Sequence, residues 1–194
     1  HRATKDWLLS SNLWADPVVF ERRKAIAPIL EDFAAVKELL LVEDLEREAY
    51  AEIAEICVRI RGAGLFPKEN GIGIDGAGKA ANLAIDALES VGFDKGRDLQ
   101  AISQGYKLNN IAATVSVKLK GGSFQHGSQG IMAWCVENTK MYQKANAEYP
   151  SKEESGGGKI DGVMSMLDAA ELMSWHPKAA GVGGILLNME EVVV

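Results

Sequence analysis

The 194-residue sequence lacks the features that mark several classes of protein. It has no apolar run long enough to span a membrane and no N-terminal segment with the pattern of a secretory signal. Its two cysteines, Cys57 and Cys135, do not have the spacing of a metal-binding pair, so we expect reduced thiols in the core of a cytoplasmic protein. The three histidines, His1, His126 and His176, are too scattered to indicate a ligand set.

The sequence also lacks a recognisable nucleotide-binding loop, although residues 71–79 read GIGIDGAGK. No G-x-x-x-x-G-K-[ST] motif occurs, and a G-x-G-x-x-G match would place its glycines inside an apolar strand rather than in the turn after it. No combination of Ser, His and Asp or of Cys and His indicates a nucleophilic hydrolase.

Charge is unevenly distributed along the chain. The net charge is −6, yet residues 103–160 contain seven lysines and four glutamates, a local net charge of +3. An acidic protein can bind nucleic acid through such a local basic face. Ordinary scatter of surface charge explains the same count equally well.

Hydrophobic spacing predicts one α/β domain in which strands alternate with helices, with some parallel strand pairing. Strands are predicted near residues 5–14, 39–42, 71–75 and 99–103, and a hairpin near 141–159 with PSKEESGGG as its flexible tip. Helices are predicted near residues 17–33 (bent or interrupted at Pro28), 45–62, 78–91, 108–119, 128–138 and 161–175.

Two aspartates occupy positions where such a domain places chemistry. Asp75 ends an apolar strand before a Gly-rich turn, where open α/β sheets bind ligands, and Asp161 opens the last helix. Either could instead cap the following helix. Asp168 lies roughly 10 Å further along that helix than Asp161, which weighs against a shared metal pair. We therefore expect Asp168 to be solvated or to lie one layer behind the site.

Four segments resemble motifs of the large terminase subunits of tailed bacteriophages. Residues 104–110 (QGYKLNN) are similar to QGY-x-L-x-N-A-I, and residues 131–138 (IMAWCVEN) to L-M-A-W-C-V-G-N. Residues 159–164 (KIDGVM) resemble K-I-D-P-x-M, and residues 72–78 (IGIDGAG) resemble a V-D-P-A-G element, each with glycine in place of proline. The segments follow the family's order, and the resemblance covers about residues 5–177.

The resemblance implies a nuclease domain with a ribonuclease H-like mixed sheet flanked by helices. In that family, acids on three separate elements bind two divalent ions, Mg²⁺ or Mn²⁺. Asp75 would be the second acid and Asp161 the third, both metal-binding and catalytic. The family's first acid lies on an opening strand that would precede His1. We therefore expect residues 1–178 to form a nuclease domain that lacks its first strand, followed by a tail, residues 179–194.

The function implied is metal-dependent cutting of concatemeric double-stranded DNA during phage genome packaging, in the cytoplasm of the bacterial host. Lys140, Lys144, Lys152 and Lys159 are expected to contact DNA phosphates without reading sequence. The implied partners are double-stranded DNA and, in a full-length subunit, an ATPase domain, the small terminase subunit and the portal, with no membrane. Two alternatives stay open: a non-catalytic fragment or remnant that binds DNA or the packaging machinery and, less favoured, a junction resolvase.

Overall fold

The structure, a computed structural model, describes residues 4–76, 78–144 and 146–178. Within these ranges the strands are β1 (Trp7–Leu9), β2 (Trp14–Ala15), β3 (Leu40–Leu41), β4 (Ile72–Asp75), β5 (Leu99–Ile102), β6 (Phe124–His126), β7 (Lys140–Lys144) and β8 (Ala147–Ser151). The helices are α1 (Val18–Arg22), α2 (Ala27–Ala35), α3 (Tyr50–Gly62), α4 (Lys79–Ser90), α5 (Asn109–Lys120), α6 (Gly130–Asn138) and α7 (Asp161–Ser174). A π-helical turn, Leu45–Ala49, leads into α3, and a 3-10 turn, Gly105–Leu108, leads into α5.

The described strands pair two by two. Pairs β1–β6, β2–β3 and β4–β5 are parallel, whereas β7–β8 is antiparallel. This arrangement confirms a mixed α/β domain with parallel pairing. The described residues do not join these pairs into the single central sheet that a ribonuclease H-like fold implies. The predicted tail, residues 179–194, lies outside the described residues.

Most predicted helices are present, but two local predictions need correction. The predicted first strand is two short strands, β1 and β2, separated by an extended segment, and β6 was not predicted. The interruption predicted for the first helix near Pro28 is confirmed: α1 ends at Arg22, and Pro28 stands in the first turn of α2, where its missing N–H costs no hydrogen bond. The hairpin turns between Lys144 and Ala147, so PSKEESGGG is not its tip: Pro150 and Ser151 end β8, and the residues after them lead to α7.

Strand β4 lies between two layers of helices. Ile72 and Ile74 pack into a core cluster with residues of α3 and α4. Successive strand residues point to opposite faces, so Gly73 and Asp75 face the other layer. A Cβ added to Gly73 would lie 3.2 Å from the backbone oxygen of Asp168 in α7. The glycine therefore allows α7 to approach closely, and the strand alternation directs Asp75 toward that helix.

The second layer is a larger core built from α5, α6 and α7. It buries Cys135 and Leu167, among other side chains. A Cβ added to Gly162 would lie 2.7 Å from Met132 Sδ, so α6 and α7 cross tightly at the position where the terminase motif has proline. Both cysteines are free thiols, Cys135 buried and Cys57 half-buried. Among the described residues, no helix is long and apolar enough to cross a membrane.

Candidate functional site

Asp75 is exposed at the carboxyl end of β4, opposite Ile102 at the end of β5. The following helix, α4, has Gly78 at its N-cap and no side-chain cap. The Asp75 carboxylate makes no hydrogen bond or ion pair with any other described residue. The interpretation of Asp75 as a helix cap is therefore wrong, and its carboxylate is free to bind a ligand.

Asp161 is the first residue of α7, and it does not cap the helix either. Its Oδ1 accepts a hydrogen bond from Lys152 Nζ at 2.9 Å, and its Oδ2 lies 3.9 Å from Lys159 Nζ. A negative charge here is favoured because the N-terminus of a helix carries partial positive charge. The carboxylate is exposed and already held beside a cationic group.

Asp168 is buried, with 5% of its surface exposed. Its Oδ1 accepts a hydrogen bond from Gln104 Nε2 at 2.8 Å. Of the two expectations for Asp168, a solvated position is wrong, because the carboxylate is buried. Burial raises the pKa of Asp168 to about 6; the Gln104 hydrogen bond opposes this shift, and the negative charge of Asp75 adds to it.

Gln104 is a residue of the site that sequence reasoning did not single out, although it opens the QGY segment. Its Nε2 lies near two acceptors, the Asp168 carboxylate and the backbone oxygen of Ile102 at 3.4 Å. Its Oε1 is buried and has no hydrogen-bond partner among the described residues. The motif was the available signal, because Gln104 and Asp168 are 64 residues apart in sequence.

The ammonium group of Lys152 interacts electrostatically with all three acids, Asp75, Asp161 and Asp168. The hydrogen bond to Asp161 raises the pKa of Lys152, and the charges of Asp161, Asp75 and Asp168 raise it further, while partial burial lowers it. The ammonium group and the three carboxylates are therefore close enough for their charges to interact. These carboxylates come from β4 and α7, so the local charge is negative.

The other predicted DNA-contacting lysines are placed differently. Lys159 lies at the rim of the site, 3.9 Å from Asp161. Lys140 and Lys144 are on β7, in which every described residue is exposed. Neither of them forms an ion pair with another described residue. Both are therefore available to an external ligand.

The donor chemistry of this site suits a hard cation. Carboxylate oxygens are the ligands that Mg²⁺ and Mn²⁺ prefer, and the Lys152 ammonium already occupies a cation's place beside Asp161. In the described part of the chain, no three His, Cys, Asp or Glu side chains are placed to hold one ion. What these residues offer is two exposed carboxylates rather than a closed ligand set: Asp75 has no side-chain partner, and Asp161 is paired with Lys152.

Comparison with known proteins identifies the fold. No family model matches the sequence, and no curated protein matches it. The crystal structure of the HK97 bacteriophage large terminase is similar, with a TM-score of 0.61 and 18% sequence identity, over 81% of this chain and 32% of that chain. The domain has a terminase-like fold. It spans about a third of the length of the HK97 terminase chain, and at this identity the likeness concerns the fold.

Proposed function

We propose that this terminase-like domain is a divalent-metal-dependent endonuclease that cuts concatemeric double-stranded DNA during phage genome packaging in the cytoplasm of the bacterial host. Asp75 and Asp161 are the carboxylates that hold the metal ions, in a ribonuclease H-like framework. One observation carries the proposal. Two exposed acids from separate elements, neither of them a helix cap, both interact electrostatically with Lys152, in a domain whose fold is similar to part of a large terminase.

The residues of the chain have distinct parts in this proposal. Bound Mg²⁺ or Mn²⁺ supplies the activation of water and the stabilisation of the leaving oxygen. Asp75 and Asp161 fix the position of the ions, and their exposure leaves room for a phosphodiester beside them. Lys159, two residues before Asp161, offsets the charge of a phosphate that reaches the site.

DNA binding is assigned to the β7–β8 hairpin and the segment after it. Lys140, Tyr142 and Lys144 alternate along β7 and therefore share one face. Lys152 follows the end of β8 and carries positive charge from the hairpin to Asp161. Such contacts neutralise phosphates and give affinity without base specificity. In a full-length subunit, the other proposed partners are an ATPase domain, the small terminase subunit and the portal.

Manganese-dependent cleavage of plasmid DNA tests the proposal. We expect cutting by the wild-type chain and its loss in both Asp75→Ala and Asp161→Ala. Asp86→Ala is a matched control, because Asp86 is an exposed acid on α4. Cutting that persists in both site variants would remove these acids from the mechanism.

A non-catalytic DNA-binding domain is the second candidate. It is favoured by the observation that no three potential ligands among the described residues are placed to hold one ion. Under this alternative, the chain binds DNA without cutting it in manganese, and the binding weakens as salt increases. Replacing Lys140, Lys144 and Lys152 with Glu is expected to weaken binding and reduce its salt dependence under either proposal. Unchanged binding would exclude these lysines as the contact surface.

A further inference from the structure

The buried carboxylate of Asp168 has few interactions to compensate for its burial. Gln104 Nε2 donates the one hydrogen bond that the structure gives to this carboxylate, and no cation lies within ion-pair distance of it among the described residues. A buried ionised carboxylate without a paired cation is costly. Acidic side chains are therefore almost never fully buried unless they are paired. A role other than stability has to account for Asp168.

The position of Asp168 indicates what that role is. Its backbone oxygen lies 3.2 Å from the place of a Cβ on Gly73. Asp75 is two residues further along β4 and faces the same side. Asp161 is seven residues before Asp168, about two helical turns, and so projects from the same face of α7. Asp168 thus lies behind the two exposed acids.

Gln104 fixes the orientation of this carboxylate. The residue lies two positions after β5 ends at Ile102, at the same sheet edge as Asp75. Its amide N–H groups are directed to the Asp168 carboxylate and to the backbone oxygen of Ile102, while its Oε1 stays buried without a partner. A buried polar atom left unsatisfied is uncommon and requires an explanation. The Gln104 amide is therefore oriented to donate a hydrogen bond to Asp168, and this orientation leaves its own Oε1 unpaired.

We propose that Asp168, oriented by Gln104, is a positioning residue whose negative charge lies behind Asp75 and Asp161 and strengthens cation binding at those two carboxylates. The inference rests on the proposed function and deepens it. In this proposal Asp168 attracts the cation through its negative charge and contacts neither the cation nor DNA. The raised pKa of Asp168, caused first by burial and also by the charge of Asp75, is consistent with this position.

The test is a manganese titration of the chain by calorimetry at pH 7.5, combined with thermal unfolding. Asp168→Asn keeps the size of the side chain and an oxygen that accepts the Gln104 hydrogen bond, so the variant is expected to fold. We expect its Tm to rise, because a buried charge is removed. We expect its affinity for Mn²⁺ to fall about three- to tenfold, because a negative charge that attracts the cation without touching it is lost.

Asp98→Asn is the matched control, because Asp98 is the other buried acid among the described residues. It is expected to lower Tm and to leave the affinity for Mn²⁺ unchanged. A lower Tm with unchanged affinity in Asp168→Asn would show that Asp168 is merely structural and overturn the inference.

Asp75→Asn and Asp161→Asn separate this inference from the function on which it depends. Mn²⁺ binding that is lost in these two variants but unchanged in Asp168→Asn leaves the proposed function standing and refutes the role of Asp168. Binding that is equal in the wild type and in all three variants refutes the metal site itself, and the inference with it.

Discussion

Asp98 and Asp168 expose similarly small fractions of their surface, 6% and 5%, yet their surroundings differ sharply. Asp98 accepts two hydrogen bonds from Arg97, at 2.7 and 2.8 Å, and a third from the backbone N–H of Asp94. Asp168 accepts a single bond from an uncharged amide. The hydrogen bonds from Arg97 lower the pKa of Asp98, whereas burial raises the pKa of Asp168 to about 6.

The comparison separates an acid that stabilises the fold from one that the fold tolerates. Asp98 stabilises the turn before β5, at the opposite end of the β4–β5 pair from Asp75. Asp168 lies where the negative charges of β4 and α7 converge. Perturbed acids concentrate at functional sites because function requires charge in places that stability disfavours. Burial alone therefore does not reveal the role of an acid; its partners do.

The largest expected effect on stability comes from replacing Asp98. Asp98→Ala is expected to lower the free energy of unfolding by about 2–3 kcal/mol, because it removes three hydrogen bonds and leaves the Asp94 N–H unpaired. Urea denaturation measures this change. The control Asp86→Ala, on the exposed face of α4, is expected to stay within about 0.5 kcal/mol. A loss for Asp98→Ala no larger than that of the control would contradict a stabilising role.

The pH dependence of stability is expected to differ in sign between the two acids. The pKa of Asp168 rises from 3.8 to about 6 on folding. Its contribution is therefore fully present below pH 4 and is lost as the pH rises through 6, a change of at most about 3 kcal/mol. The measurement is the free energy of unfolding of the wild type and of Asp168→Asn at several pH values between 4 and 7. The stability of Asp168→Asn relative to the wild type is expected to increase as the pH rises through this range. A constant difference would show that Asp168 does not titrate there.

Asp98 provides the opposite case. Because its pKa is lowered on folding, its contribution is present above pH 4 and is lost as the pH falls further. Asp98→Asn is therefore expected to flatten the acid limb of the stability curve. Between pH 4 and 7 it is expected to lower stability by a constant amount, so that the slope of stability against pH stays as in the wild type. A variant that alters the slope in the higher range would show that the two acids are coupled.

Local patterns predicted much of the fold and part of the site. Helices with a clear apolar face, such as α3 and α4, were found close to their predicted limits, since a helix is specified by nearby residues. Asp75 and Asp161 were identified by their places at the end of a strand and the start of a helix, and by motifs around them. Their metal-binding role stays a prediction.

Relations between distant segments could not be predicted in the same way. The pairing of β1 with β6 joins three-residue strands, Trp7 opposite Phe124, and strands this short carry little periodic signal. The Asp168–Gln104 bond depends on how closely α7 approaches β4, which Gly73 permits. The distance along one helix from Asp161 to Asp168 does not reveal which residues pack against Asp168, so the sequence could not decide between a solvated and a buried position for this acid.

The smallest expected effect concerns the positive charge that faces these acids. Lys152 is hydrogen-bonded to Asp161 and feels the charges of Asp75 and Asp168, so its ammonium competes with any other cation for the same field. Lys152→Met removes the charge and keeps most of the length of the side chain. We expect it to tighten Mn²⁺ binding about two- to fivefold in a titration without DNA.

Lys159→Met is the control for this change, because Lys159 lies further from Asp161, at 3.9 Å against 2.9 Å for Lys152. It is expected to produce a smaller increase in affinity. The pair is exposed, so little stability is at stake, and a change in affinity would report on the field rather than on folding. If Mn²⁺ bound more weakly to Lys152→Met, the ammonium would be supporting the cation site rather than competing with it. The difference between Asp98 and Asp168 would then need an explanation other than attraction of a cation by the charge of Asp168.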